Sequence, residues 1–270
     1  MRNPTDRVAR RLPMDAKMAK RFSVLALLLA AIACRGGSSP TAPTGTAILS
    51  QIVETEAFLF RSVPGDGIEV DRQLAYHAWA QRELGITAAR RITYNKYLSR
   101  GHMGDVIGVS NTNAWAEAPA YAIHTIWPYD NHECVHLYAS ALGMPVSLLT
   151  EGLAVAFQTN PIANDFVPRW SGTFVHDLAR TFRTDGRLVP IDQMLQSSQF
   201  RSHDLNVVYP EAGSFTRFLI DAYGLATFKD LYGQVTSNDV AVTVAAKFAS
   251  VYGKSAGQLE AEWWAVLDKR

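Results

Sequence analysis

Apolar residues keep three different spacings along this chain, and each stretch predicts a different kind of element. Residues 22–33 are an almost unbroken apolar run. Over 48–60 and 72–84 the apolar positions recur every three or four residues, which predicts two amphipathic helices, the second stopping at Gly85. Between 91 and 127 the period falls to two. Residues 92–98 alternate, Val106-Ile107-Gly108-Val109 is a short β-branched run, and residues 120–127 alternate again, so three strands are expected. Past Pro128 helical spacing returns and no further strand is expected. Helices are predicted at 130–142, ending at Gly143, and at 147–158, 173–183, 191–196, 211–223, 226–232, 239–252 and 256–268. Phe215, Phe218, Leu219 and Ala222 share one side of the 211–223 helix and read as core. Trp263 and Trp264 read as docking the last helix onto its lobe, with a partner interface as the alternative. The expected class is α+β. A small mixed sheet with helices forms an N-terminal lobe (46–143) ending in the 130–142 helix, an all-helical C-terminal lobe (144–270) follows, and a cleft lies between them.

Composition narrows the setting. With 270 residues, 48% apolar and 19% charged, the chain has enough material for one large or two small domains with a real core. A net charge of +1, with no basic run outside the N-terminus, gives no reason to expect a nucleic-acid partner. The basic stretch 17–21 ahead of the apolar run 22–33 reads as a signal peptide, since twelve residues are too few to span a bilayer. Met14 and Met18 are alternative starts that would shorten its basic region. The run ends in Ala31-Ile32-Ala33-Cys34, and residues 35–45 are rich in Gly, Ser, Pro and Thr, as a flexible linker is. Together they resemble a bacterial lipoprotein cleavage site and its tether, which implies export and a membrane anchor through lipid on Cys34. Ala31 departs from that pattern, where a larger aliphatic residue is usual, and an ordinary signal peptide with an incidental cysteine is the alternative. If Cys34 carries lipid, Cys134 has no intramolecular partner and the exported fold rests on its core alone.

The chemistry concentrates in His132-Glu133-Cys134-Val135-His136 and in Glu151-Gly152-Leu153-Ala154. Positions i and i+4 of a helix lie on one face, so His132 and His136 can converge on one ion with Glu133 beside it. A catalytic zinc takes three protein ligands and leaves one position open, and Glu151, on the next helix, is the natural third. Zinc held by His132, His136 and Glu151 would lower the pKa of its water, and Glu133 would take that water's proton and later pass it to a leaving amine. Blander uses exist. Glu133 stands three residues after Asp130, as in a capping box, and Glu151 follows a Pro145/Ser147 helix start, as a first-turn acid does. Cys134 faces away from both histidines and reads as core.

These two motifs resemble those of the gluzincin zinc metallopeptidases, in their thermolysin-like peptidase domain, and most closely the short bacterial members with a Glu-Gly-Leu-Ala helix. The resemblance covers about residues 90–225 and is specific only at the two motifs. It implies a zincin-like fold, in which an edge strand at 120–127 precedes the motif helix, and a peptide or protein substrate. It also implies a tyrosine that supports the oxyanion. Tyr209, at the expected start of the 211–223 helix, matches that role, with an ordinary half-buried tyrosine as the alternative. His203 is a weaker match for the same task, and His124 either faces the cleft or is a solvated strand residue. Val155 stands where thermolysin's pattern has an aspartate orienting a zinc histidine, so that partner must come from elsewhere. Two further readings share these residues: a catalytically silent gluzincin-fold module for binding or scaffolding at the cell surface, and a zinc hydrolase of a non-peptide amide or ester. The intact Glu133 argues against the silent module.

Overall fold

Of the first two strands, the second sets the sheet's inner face, because Phe58 and Phe60 alternate with less buried Leu59 and exposed Arg61. In the computed structural model, which describes residues 48–159, 165 and 167–269, they are β1 (Gln51–Glu54) and β2 (Phe58–Ser62). They form an antiparallel hairpin where 48–60 predicted a helix. The apolar pairs at 48–49 and 52–53 mimic a helical spacing, but β1 is an exposed strand at the sheet edge that does not alternate, and it joins β2 through a turn in which the Thr55 hydroxyl accepts from Phe58 N–H at 2.9 Å. The expected signal peptide, Cys34 and the linker lie outside the described residues. Residues 45–270 cluster as one compact unit.

Helix α1 (Val70–Leu84) crosses to β3 (Ile92–Lys96), which lies parallel to β2. It ends as expected, with Gly85 at φ 55° closing the last turn. The run 106–109 is not a strand but the end of α2 (Arg100–Ile107), begun by a Ser99 cap that accepts from His102 N–H at 3.1 Å. Its apolar residues are too few to fix a period. An unexpected strand β4 (Ala114–Glu117) follows, then β5 (Ala122–Thr125). The sheet order is β1-β2-β3-β5-β4, with β5 parallel to β3 and β4 antiparallel to β5. The edge strand beside the motif helix is therefore β4, and the 120–127 strand is interior. Alanines at 114 and 116 carry little strand propensity, which is why β4 left no signal.

The motif helix α3 (His132–Ala139) and the second helix α4 (Ser147–Ala156) come next, each shorter than expected. The later half is mainly helical, but not entirely. A two-stranded hairpin, β6 (Arg169–Trp170) and β7 (Thr173–Phe174), turns through Ser171 at φ 49° and Gly172 at φ 83°. It leads into α5 (Val175–Thr184), a 3-10 turn at Ile191–Met194, and α6 (Ser197–Ser202). Helix α7 (Leu205–Tyr223) begins six residues before the predicted start and carries Pro210 inside it. Asp204 caps it by accepting from Asn206 N–H at 3.0 Å, and buried Val207 and Val208 hold its first turns against the core. Packing overrides the break that Pro210 suggests. Helices α8 (Leu225–Gln234), α9 (Ala241–Tyr252) and α10 (Ala256–Leu267) complete the fold. The class is α+β, with a helical C-terminal part.

Helix α4 lies against α7 with almost no space between backbones. A Cβ on Gly152 would stand 2.4 Å from Thr216 Oγ1 and 2.9 Å from the Ala212 carbonyl oxygen, and one on Gly213 would stand 2.3 Å from Val155 Cγ1. The glycine of Glu-Gly-Leu-Ala is thus a packing requirement, and Val155 faces α7 rather than the histidines. Phe215, Phe218, Leu219 and Trp263 are buried as expected. Ala222 is exposed near the end of α7, and Trp264 is half-buried beneath the Arg183 guanidinium, 4.9 Å above its ring.

Candidate metal centre

Position in α3 is fixed from its first residue. The Gln73 side chain of α1 donates to the Asp130 carbonyl at 3.1 Å and accepts from Asp130 N–H at 3.1 Å, clamping the residue that leads into the helix. Asp130 Oδ1 then accepts from Glu133 N–H at 3.1 Å. This is half of the capping box read from the sequence. The other half does not form, because Asp130 N–H goes to Gln73, and the Glu133 carboxyl is left for the cleft. Cys134 is fully buried and accepts from Gln73 at 3.0 Å, as a core residue.

Helices α3 and α4 bring three side chains to one point. His132 Nε2 and His136 Nε2 are 3.2 Å apart, and they lie 3.3 and 3.4 Å from Glu151 Oε2. Donors about 2.0–2.1 Å from a shared tetrahedral ion stand about 3.3 Å from one another, so these three distances are the edges such a site requires. Among the described residues this is the single cluster of three or more such side chains able to hold a metal. On its outer side His132 Nδ1 meets Gln158 Oε1 at 3.2 Å. With the amide in that orientation its oxygen accepts from Nδ1, which leaves Nε2 as the nitrogen facing Glu151 and His136, donating to the Glu151 carboxylate when no cation is there and able to offer its lone pair to one that is.

Charge around the cluster follows the same geometry. Burial works to raise the Glu151 pKa, but the hydrogen bonds from His132 and His136 outweigh it and hold the carboxyl well below the usual range. Its other oxygen, Oε1, accepts from Arg201 of α6 at 3.3 Å. Glu133 has no such partners. Burial, and then the charge of Asp130, push it up to about 8, although the Ala116 N–H of β4 donates to it. A cation at the three donors would act against both effects.

Tyr209 sits in the second turn of α7, not at the helix start expected for it, and its ring stacks on His132 with centroids 6.2 Å apart. Trp170 of the β6–β7 hairpin and Phe200 of α6 hold its other sides, at 5.3 and 5.7 Å. Burial and then the Glu151 carboxylate raise its pKa, so the phenol stays a donor. All five residues named from the sequence line a cleft of about 1210 Å³, together with β4, Trp127, Met144, Gln158, Trp170 and Arg201. His203 and His124 do not line it. His124 is buried, contrary to both expectations for it. Its ring lies between Tyr97 and Trp115, Nδ1 meets the Tyr97 hydroxyl at 2.8 Å and Nε2 meets Glu117 at 3.3 Å.

Gln158, Arg201 and Trp170 were not singled out by the sequence. Gln158 had a usable signal, since it ends the 147–158 helix expected from the sequence, seven residues and two turns after Glu151; in the structure α4 stops at Ala156 and Gln158 lies just past it. Arg201 and Trp170 had none, because only tertiary packing brings α6 and the hairpin to α4. No protein-family model matches this chain, and no curated protein matches it.

Proposed function

We propose that the chain is a zinc-dependent metallopeptidase of the gluzincin group with a zincin-like fold, hydrolysing peptide bonds in a peptide or protein substrate. The observation that carries this reading is the triangle of donor atoms at 3.2, 3.3 and 3.4 Å, with His132 Nδ1 held on its outer side by Gln158. Zinc bound there by His132, His136 and Glu151 would supply a Lewis acid for the scissile carbonyl and a more acidic water.

The protein's own groups provide the rest. Glu133 lines the same cleft and holds no ligand position, so its carboxylate takes a proton from the attacking water as the C–O bond forms. It returns that proton to the amine nitrogen as the C–N bond breaks, and ends as it began. The Tyr209 hydroxyl, a donor beside Glu151, is in the right region to bind the oxyanion that forms on the former carbonyl. Edge strand β4 lines the cleft with one side unpaired in the sheet, which suits an extended backbone adding as a further strand. We also propose export and anchoring by lipid on Cys34, from the residue pattern of 17–45.

The test is cleavage of an unstructured protein by zinc-loaded wild type and Glu133→Gln. Loss of cleavage by about 10²–10⁴-fold with metal retained is the expected result. Equal cleavage by both would remove Glu133 from the chemistry. Zinc without any cleavage would point to a binding module or a non-peptide substrate.

A further inference from the structure

We propose that Gln158 is the positioning residue for His132, and that its neutral amide sets a weaker metal affinity than a carboxylate there would give; this rests on the metal reading above. Val155 is committed to the α7 interface, with Cγ1 in the space beside Gly213, so it has no part in orienting a histidine. Gln158 stands where that orientation is needed. Its backbone is fixed on both sides: its N–H donates to the Val155 carbonyl at 3.1 Å, and its carbonyl accepts from Arg169 N–H of β6 at 3.0 Å. From that fixed position Oε1 reaches His132 Nδ1 at 3.2 Å, while the Tyr209 ring lies nearly parallel to the imidazole, 21° from its plane. The ring is thus held at its outer nitrogen and along one face, and Nε2 is turned to the cluster.

An amide oxygen and a carboxylate differ here in one respect. Both accept the Nδ1 proton, but only the carboxylate brings negative charge, which makes the imidazole a stronger electron donor to a metal. The outer contact of Glu151 acts in the same direction, since the guanidinium of Arg201 draws charge from its carboxylate. Of these two outer contacts one is neutral and one a cation, so neither adds negative charge to the centre.

The full chain should therefore be compared as wild type, Gln158→Ala, Gln158→Met and Gln158→Glu, measuring zinc affinity by chelator competition and the melting of each metal-free protein. Gln158→Met keeps the length of the side chain, and guards against an alanine variant that fails to fold. Expected are zinc affinities about 10–100-fold weaker for Ala and Met, and about 10-fold tighter for Glu, with metal-free melting unchanged. Ala and Met variants that bind zinc as wild type does would overturn the positioning role while leaving the metal site standing. A Glu variant no tighter than wild type would overturn the part assigned to charge. If wild type binds zinc no better than His132→Ala, the metal reading itself fails, and this inference with it.

Discussion

Tyr209 and Glu133 face the same cleft with opposite tendencies. Burial favours the protonated form of both, which suits a tyrosine that must donate and works against a glutamate that must accept. In the proposed reaction only Glu133 would need the field of a nearby cation to act at neutral pH, so its proposed role depends on the metal and that of Tyr209 does not. Tyr209→Phe keeps the ring between Trp170 and His132 and removes only the donor. It should lower kcat by about 10²–10³-fold with KM and zinc affinity nearly unchanged, as steady-state kinetics and chelator competition would show. A variant that instead loses zinc would mean that Tyr209 serves the centre by packing. At this scale the sequence was informative where chemistry demands fixed spacing: His132, Glu133 and His136 are one helical turn's geometry. It was silent on Arg201, whose role exists only because α6 packs beside α4.

Helix α4 joins the site to the rest of the fold. Glu151 points into the cleft, Gly152 and Val155 meet α7 on the other side, and Gln158, just past the helix end, returns to His132. A methyl group added at Gly213 would meet Val155 Cγ1 at 2.3 Å, between two buried backbones that cannot easily part. Gly213→Ala should therefore destabilise the protein by about 1–3 kcal/mol and weaken zinc binding, because relief of the clash moves the helix that carries Glu151. Thermal melting and zinc titration check the two effects separately, and unchanged values in both would contradict the close α4–α7 contact. Elements were legible in proportion to the clarity of their period. Helix α1, closed by Gly85, and the alternating strand β3 were read nearly to the residue. The β1–β2 hairpin reads as a helix because apolar pairs at 48–49 and 52–53 of an exposed edge strand fall at helical spacing, β4 leaves no mark because alanine signals no strand, and α7 reads as shorter because Pro210 suggests a boundary that its buried valines override.

Across the whole molecule, the helical part is held by polar groups deep in its core. Glu211 of α7 is fully buried, with Oε2 accepting from Val189 N–H at 3.2 Å, and Glu260 of α10 accepts from Ile191 N–H at 3.2 Å. Burial pushes Glu211 up to about 9, with the charge of Glu260 adding to it. A carboxyl raised in the folded state holds its proton longer than the unfolded chain does. Its contribution to stability is therefore complete below the ordinary glutamate value near 4.5 and is lost as pH climbs toward 9. Glu211→Gln keeps an acceptor for Val189 without the charge, and should stabilise by about 1–3 kcal/mol at pH 8 and by almost nothing at pH 4. Melting curves at both values decide it, since an equal gain at each pH would assign the effect to packing. No sequence pattern distinguished Glu211 from a surface glutamate, because its burial comes from α5 and α10 closing over α7. The proposed chemistry turns on what the three donors hold. Elemental analysis of the full chain purified without chelator, beside Glu151→Ala, is the most direct measurement: one zinc per wild-type chain, lost in the variant, is the predicted result, and a wild-type chain free of zinc under those conditions and after zinc addition would contradict it.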